Sequence, residues 1–441
     1  MEKLNNGRCS PASVLKASVL KACVLKTRNG HSMHLRGWAS IIAMVLTLLS
    51  SACSTGQQEP TTSQPPASTP ASTSANIHLD ISKQEVPSPH LSEQQKAALQ
   101  ASKRVSTMSV QDQAAQLVMI SLQAGSATST IQDDIENRHI GSVLLFGNST
   151  AGVAAVHAET QALQAYARNG DGLLVATDQE GGTVQHLKGP GFAQMPSAVM
   201  QGQMDTQTLR TNAQSWGASL QSAGVNVDFA PSVDTVQTQP RANNAAIGAL
   251  NRDFGLDAQG NAAHASAFIQ GMADAEVSTA IKHYPGLGAI AGNTDFTNAG
   301  IIDSTTTLDG QEISAFDTTL QSQPAFVMMS LATYSKIDPN NPAAFSPTIM
   351  QGHLRDEEHF EGIIVSDSLS AQALSGIPVG ELGVRFIQAG GDLVCADAPG
   401  YIETILDGII DTAQKNADFA QQVKSSATRV LTLKYEKQLM H

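Results

Sequence analysis

The chain has 441 residues, 41% hydrophobic and 15% charged, which is enough to bury a large core even if its first quarter is not globular. Its formal net charge of -13 argues against nucleic acid or another polyanion as partner, because neutralising phosphates needs a basic surface. Of four cysteines only Cys395 falls in the globular body, which leaves no intradomain disulfide and no cysteine-based metal site there.

Residues 1–53 read as a leader. An echo, Val14-Leu15-Lys16, Val19-Leu20-Lys21 and Val24-Leu25-Lys26, has no functional account. Met33 is an alternative start, since Met33-His34-Leu35-Arg36 already supplies a basic segment before the apolar run Trp38–Leu49. That run suits a secretory signal and is too short to span a bilayer. It ends Leu49-Ser50-Ser51-Ala52-Cys53. Small residues before a cysteine resemble a bacterial lipobox, although Ser50 stands where a Leu is usual. Cys53 is therefore the expected lipidation site. Residues 54–95 follow as a tether, rich in Ser, Thr, Pro and Gln and unable to form a core. Together they predict an extracytoplasmic domain, lipid-anchored to the outer face of the cell membrane and able to reach wall material.

Residues 96–441 form the expected body, where short apolar runs alternate with longer amphipathic ones. Eight candidate strands are Gln116–Ile120, Ser142–Phe146, Leu173–Thr177, Asn226–Ala230, Ser278–His283, Ala325–Ser330, Gly362–Asp367 and Asp392–Ala396. Helical patterns lie at Ala151–Ala167, Thr206–Ala223, Gln259–Ala273 and Ala417–Leu439. Alternation of this kind predicts parallel βα units, and eight of them fit a (β/α)8 TIM barrel. A doubly wound open sheet is the alternative, because spacing along a chain does not show closure.

Barrel enzymes build their sites on the C-terminal ends of the strands. The third strand runs into Asp178-Gln179-Glu180-Gly181-Gly182, a tight turn that presents Asp178 inward. The fourth contains Asp228-Phe229-Ala230-Pro231 with Asp234 nearby; both carboxylates suit structural and functional roles equally. Arg252 follows in a loop. The fifth delivers Lys282 and His283, a cation and an imidazole able to donate to hydroxyls and amide oxygens, and then breaks into Pro285, Gly286, Gly288 and Gly292. These two side chains are one residue apart, so a regular strand would point them to opposite faces, and both reach one site only if the strand bends at Lys282. The seventh strand ends in Asp367-Ser368-Leu369, a carboxylate that stays ionised if loop donors satisfy it.

Lys-His-aromatic-Pro-Gly, DQEGG and DFAP in this order resemble the family 3 glycoside hydrolases, above all their single-domain β-N-acetylglucosaminidases, over about residues 105–400. The resemblance implies a retaining glycosidase. Asp367 would be the nucleophile, with Asp178, Arg252, Lys282 and His283 on the sugar. Two departures matter. Where the family has an Arg after DQEGG, this chain has Gln185-His186, so His186 is either a sugar contact or a bystander. Where the family carries its acid/base histidine, this chain has Asn293-Thr294-Asp295, and Leu287 replaces another frequent histidine. Asp295 is the expected acid/base. The family's frequent second domain is not expected, which disfavours a β-glucosidase. A catalytically impaired glycan-binding lipoprotein is the rival from another class. No metal or organic cofactor is implied, since two carboxyl groups and water suffice. A carbohydrate substrate, a membrane through the lipid anchor and a monomeric state complete the expectation.

Overall fold

Eight apolar runs become eight parallel strands. In the computed structural model, which describes residues 91–168 and 170–440, they are Val118–Gln123, Ser142–Phe146, Leu174–Thr177, Val227–Asp228, Ser278–Tyr284, Phe326–Met329, Ile363–Ser366 and Val394–Ala396. The predicted leader, the lipidation site Cys53 and the tether through residue 90 lie outside the described residues.

Each strand pairs with the next in chain order, from the first through the seventh. The eighth pairs back onto the first, with Val118 opposite Val394. The remaining seam is sewn by a parallel bridge between Val365 and Leu393. There the Ser366 amide donates to the Leu393 carbonyl at 3.0 Å and the Leu393 amide to the Ile364 carbonyl at 3.1 Å. The sheet therefore closes into a (β/α)8 barrel, and the open doubly wound alternative falls. Both faces of these strands are covered, which is why they read as unbroken apolar runs rather than alternating ones. Hydroxyl side chains inside the ring bond across the strands: Ser121 Oγ donates to the Ala396 carbonyl at 2.6 Å and Thr177 Oγ1 to that of Leu145 at 2.9 Å.

The outer helices start where their caps say they should. Asp205 accepts the Thr208 amide at 2.9 Å and opens Thr206–Ser222; Asp257 accepts the Gly260 amide at 2.8 Å and opens Ala258–Asp274. The last helix, Ala417–Glu436, lies on the first described one, Glu93–Val105, burying Ala427 and Leu431 on one side and Ala101 and Val105 on the other. Only Ser142–Phe146 keeps its expected bounds, and the first and fourth strands shift most. The first begins at Val118 because Gln116 caps the preceding helix and Leu117 is still bonded to the Ala114 carbonyl at 3.0 Å. The fourth is only Val227–Asp228, since Pro231 has no N–H to extend the ladder.

Candidate active site

The loop after the fifth strand is shaped by its glycines and pinned from outside. Gly286 has φ +128°, and a Cβ on Gly288 would sit 1.8 Å from the Thr235 carbonyl oxygen. The Gly288 amide donates to Glu312 Oε1 at 2.8 Å, and Tyr334 Oη donates to the Gly286 carbonyl at 2.5 Å. Asn244 bridges this loop to the one carrying Arg252. Its Nδ2 donates to the Leu287 and Ile290 carbonyls at 2.7 and 2.8 Å, while its Oδ1 accepts the Ile247 and Gly248 amides. Pairing along the fifth strand slips between Ile281 and Tyr284, where the Lys282–His283 peptide is cis. Both side chains face one cluster, as the bend expected at Lys282 requires.

That cluster is an ionic lattice. Lys282 Nζ lies 2.5 Å from Asp178 Oδ1 and 2.6 Å from Glu180 Oε1. Arg252 takes the other side of Glu180 with a fork, Nη2 to Oε1 at 2.7 Å and Nε to Oε2 at 3.0 Å, and its Nη1 donates to the Ala246 carbonyl at 3.1 Å. Arg252 Nη2 also reaches His283 Nε2 at 3.3 Å. On the imidazole's other side, Nδ1 is 2.8 Å from Asp234 Oδ2. A proton on Nδ1 given to Asp234, with the Nε2 lone pair facing the guanidinium, satisfies both contacts. Asp234 is itself held by the Leu287 amide at 2.7 Å and Ser232 Oγ at 2.8 Å.

Charge follows from this geometry. Burial alone would raise the Glu180 carboxyl, but the Arg252 and Lys282 charges outweigh it and hold the group far below the usual carboxylate range. Burial would likewise lower Lys282, yet Asp178 and Glu180 lift it above its ordinary value. Asp228, fully buried beneath, accepts the Gln179 amide on one oxygen at 2.9 Å and has no partner for the other. Desolvation pushes it up to about 8, so it is a neutral acid near pH 7.

At the mouth the pattern reverses. Asp367 is half-buried, and the Ser368 amide donates to its Oδ1 at 2.8 Å. Asp295 stands on the facing loop. Backbone bonds tie the two loops together: the Gln372 amide donates to the Asp295 carbonyl at 3.1 Å and that of Ala373 to Thr294 at 3.0 Å. Asp295 is solvent-exposed by its own surface area, but the protein crowded around it partly desolvates its carboxyl and, with the nearby Asp367 charge, pushes it up to about 6, with Arg252 and His283 pulling the other way. Asp397, after the eighth strand, accepts Ser368 Oγ at 2.7 Å and completes the rim.

All seven candidate site residues singled out in the sequence meet at this end of the barrel. Their accessibility differs. Lys282 is 1% exposed and commits its ammonium to two carboxylates, and His283 is 4% exposed with both nitrogens engaged. Asp178 is half-buried and keeps Oδ2 toward His186 Nε2 at 3.8 Å, a gap too wide for a hydrogen bond and suited to a hydroxyl between them. Sequence reasoning missed Glu180, the centre of the lattice, and Asp397. Glu180 stood in the same DQEGG motif, and Asp397 obeys the strand-end rule already applied to Asp367. Asp234 was seen but not assigned; its role as the partner of His283 needed the fold.

A closed (β/α)8 barrel with carboxyl groups on two facing C-terminal loops, above a polar lattice, has the makings of a glycoside hydrolase. The glycosyl hydrolase family 3 N-terminal domain matches residues 109–433, and the chain belongs to that family. The crystal structure of a β-N-acetylhexosaminidase from Beutenbergia cavernae is similar, with TM-score 0.72 and 41% sequence identity, covering 74% of this chain and 98% of that one. A family 3 β-N-acetylglucosaminidase from Paenibacillus sp. FPU-7 is similar at TM-score 0.67 and 25% identity over 76% of this chain and 63% of that one. By sequence, the β-hexosaminidase LpqI of Mycobacterium tuberculosis is 27% identical over 339 residues, 74% of this chain and 83% of its own length. The protein is a glycosidase.

Proposed function

We propose that the protein is a retaining β-N-acetylglucosaminidase that removes terminal β-linked N-acetylglucosamine from cell-wall or other extracellular glycans. The observation that carries this reading is the pair of facing loops. One holds Asp367 with a backbone donor on a single carboxylate oxygen; the other holds Asp295 with its proton affinity raised. A general acid must hold a proton until the leaving group departs, and the raised proton affinity of Asp295 suits that role, while Asp367 stands within reach as the second carboxylate. The hexosaminidases among the similar proteins support the choice of sugar.

In the first step an Asp367 carboxylate oxygen attacks the anomeric carbon. The glycosidic C–O bond breaks, and Asp295 gives its proton to the departing oxygen. The products are a glycosyl ester on Asp367 and a free sugar alcohol. In the second step the Asp295 carboxylate takes a proton from water, whose oxygen attacks the anomeric carbon and releases Asp367. Asp178 and His186 would bind sugar hydroxyls. Lys282, with one N–H donor uncommitted, would add a third contact. Arg252 and His283 would orient Glu180 and close the floor. Lipidation at Cys53 would place this reaction outside the cell membrane, with the tether setting its reach.

Release from an aryl N-acetyl-β-glucosaminide and an aryl β-glucoside, measured side by side, tests the reading. Faster release from the N-acetyl substrate is expected. Preference for the glucoside makes the protein a β-glucosidase, and release from neither, with glycan binding retained, makes it a binder.

A further inference from the structure

A second polar cluster lies on the flank of the barrel. Asp317 sits on the helix Gln311–Leu320, His353 in the wide helical segment Thr348–Glu357, and Glu358 just after it. One ligand atom from each lies within 4.8 Å of the others, and this is the group with metal-ligand spacing among the described residues. His353 is only 5% exposed. Its Nδ1 is 2.6 Å from Glu357 Oε2, and its buried Nε2 has no hydrogen-bond partner. A carboxylate that accepts the Nδ1 proton is the arrangement found behind metal-ligating histidines, and a metal at Nε2 would displace the proton that Asp317 otherwise favours there.

The spacing separates two explanations. An imidazolium paired with Asp317 alone would draw its oxygen to about 2.8 Å. Asp317 Oδ1 instead stands 3.6 Å from Nε2. Two ligands each bonded to zinc lie about 3.3–3.6 Å apart at the tetrahedral angle. Charge favours the same choice. Three carboxylates, Asp317, Glu357 and Glu358, surround one imidazole, and among the described residues no Lys or Arg pairs with any of them. Glu358 is half-buried, so its carboxylate can swing inward, and solvent has access on that side.

We propose that Asp317, His353 and Glu358 hold one divalent transition-metal ion of the zinc class, with Glu357 orienting the imidazole and water completing the coordination. One nitrogen and two carboxylate oxygens suit zinc rather than calcium or magnesium. The ion stands apart from the sugar and joins two outer segments. The helix it grips also carries Glu312, which holds the Gly288 amide, and the Tyr284 hydroxyl, next in chain to His283, lies 3.5 Å from Asp317 Oδ1. Metal binding would thus brace the glycine-rich loop from behind.

The full chain, stripped with chelator and dialysed against micromolar Zn2+, tests this. One bound equivalent and a melting temperature that climbs with free Zn2+ are expected. Glu358→Gln and Asp317→Asn should abolish both effects, Glu357→Gln should weaken affinity by about 10- to 100-fold, and Asp367→Asn should bind as wild type. Substituted Co2+ should give a visible absorption band that Glu358→Gln removes. Absence of uptake by the stripped wild type overturns the proposal. So does wild-type affinity in Glu358→Gln, a half-exposed isosteric change that leaves the fold intact.

Discussion

The floor and the mouth of the pocket both carry clustered carboxylates and treat their charge oppositely. On the floor, Asp178, Glu180 and Asp234 each have a cation or a donor at hydrogen-bonding distance, and Lys282 and Arg252 interlock with them. At the mouth, Asp367, Asp295 and Asp397 face one another, and among the described residues no Lys or Arg makes a salt bridge with them. Compensated charges have fixed protonation and fixed geometry, which is what recognition of a rigid sugar needs. A partly desolvated carboxyl beside other carboxylates holds its proton to higher pH, which is how Asp295 stays protonated up to about 6.

The largest effect should come from the mouth. On the proposed assignment, Asp367→Asn loses at least roughly a thousandfold in turnover on every substrate, because an amide cannot form the glycosyl ester. A slow 2-fluoro sugar should label the wild type on the peptide that contains Asp367; a label elsewhere ends the assignment.

Asp295→Asn should split by substrate. Disaccharide hydrolysis should drop by about a hundred- to ten-thousandfold, the worth of general acid catalysis, while nitrophenolate departure should scarcely change. The second step should slow and azide should restore it. The wild type needs the protonated acid, so its kcat/KM on a disaccharide should fall as pH rises through about 6, and this limb should vanish in Asp295→Asn. A wild type that already fails on disaccharides, joined to a silent Asp295→Asn, would turn the enzyme into a binder.

The floor should break differently. Lys282→Met leaves Asp178 without its cation and Glu180 with Arg252 alone, and should cost about 3–5 kcal/mol of stability as an opened buried pair. Denaturant midpoints report it, and Asp295→Asn in the same assay should be close to neutral. An unchanged midpoint in Lys282→Met would show that the lattice does not hold the floor together.

Asp228 gives the most selective test. Its folded value is raised, so the folded state keeps a proton that the unfolded state has released between about 3.8 and about 8. The stability this group contributes is complete below the lower value and is lost as pH rises through the upper one. Asp228→Asn should flatten that part of the stability-against-pH curve; an unaltered slope places the titration elsewhere.

Much of this molecule is legible from the chain alone. The eight strands stand out because each is buried on both faces, so local composition carries the signal. Asp178, Lys282, His283 and Asp367 follow from the rule that barrel chemistry sits at C-terminal strand ends, and Asp295 follows only from the family resemblance. Closure does not follow, because it rests on one bridge between Val365 and Leu393 that no pattern encodes. Partners do not either. Arg252 grips Glu180 from 72 positions away, and Asp234 holds His283 from 49. A pair so distant in sequence is brought together by the packing of whole elements, and an apolar run specifies that an element is buried without specifying which charged group it will carry beside which. For the same reason Asp317, His353 and Glu358 read as ordinary helix surface in the chain, and only the tertiary structure turns them toward one point.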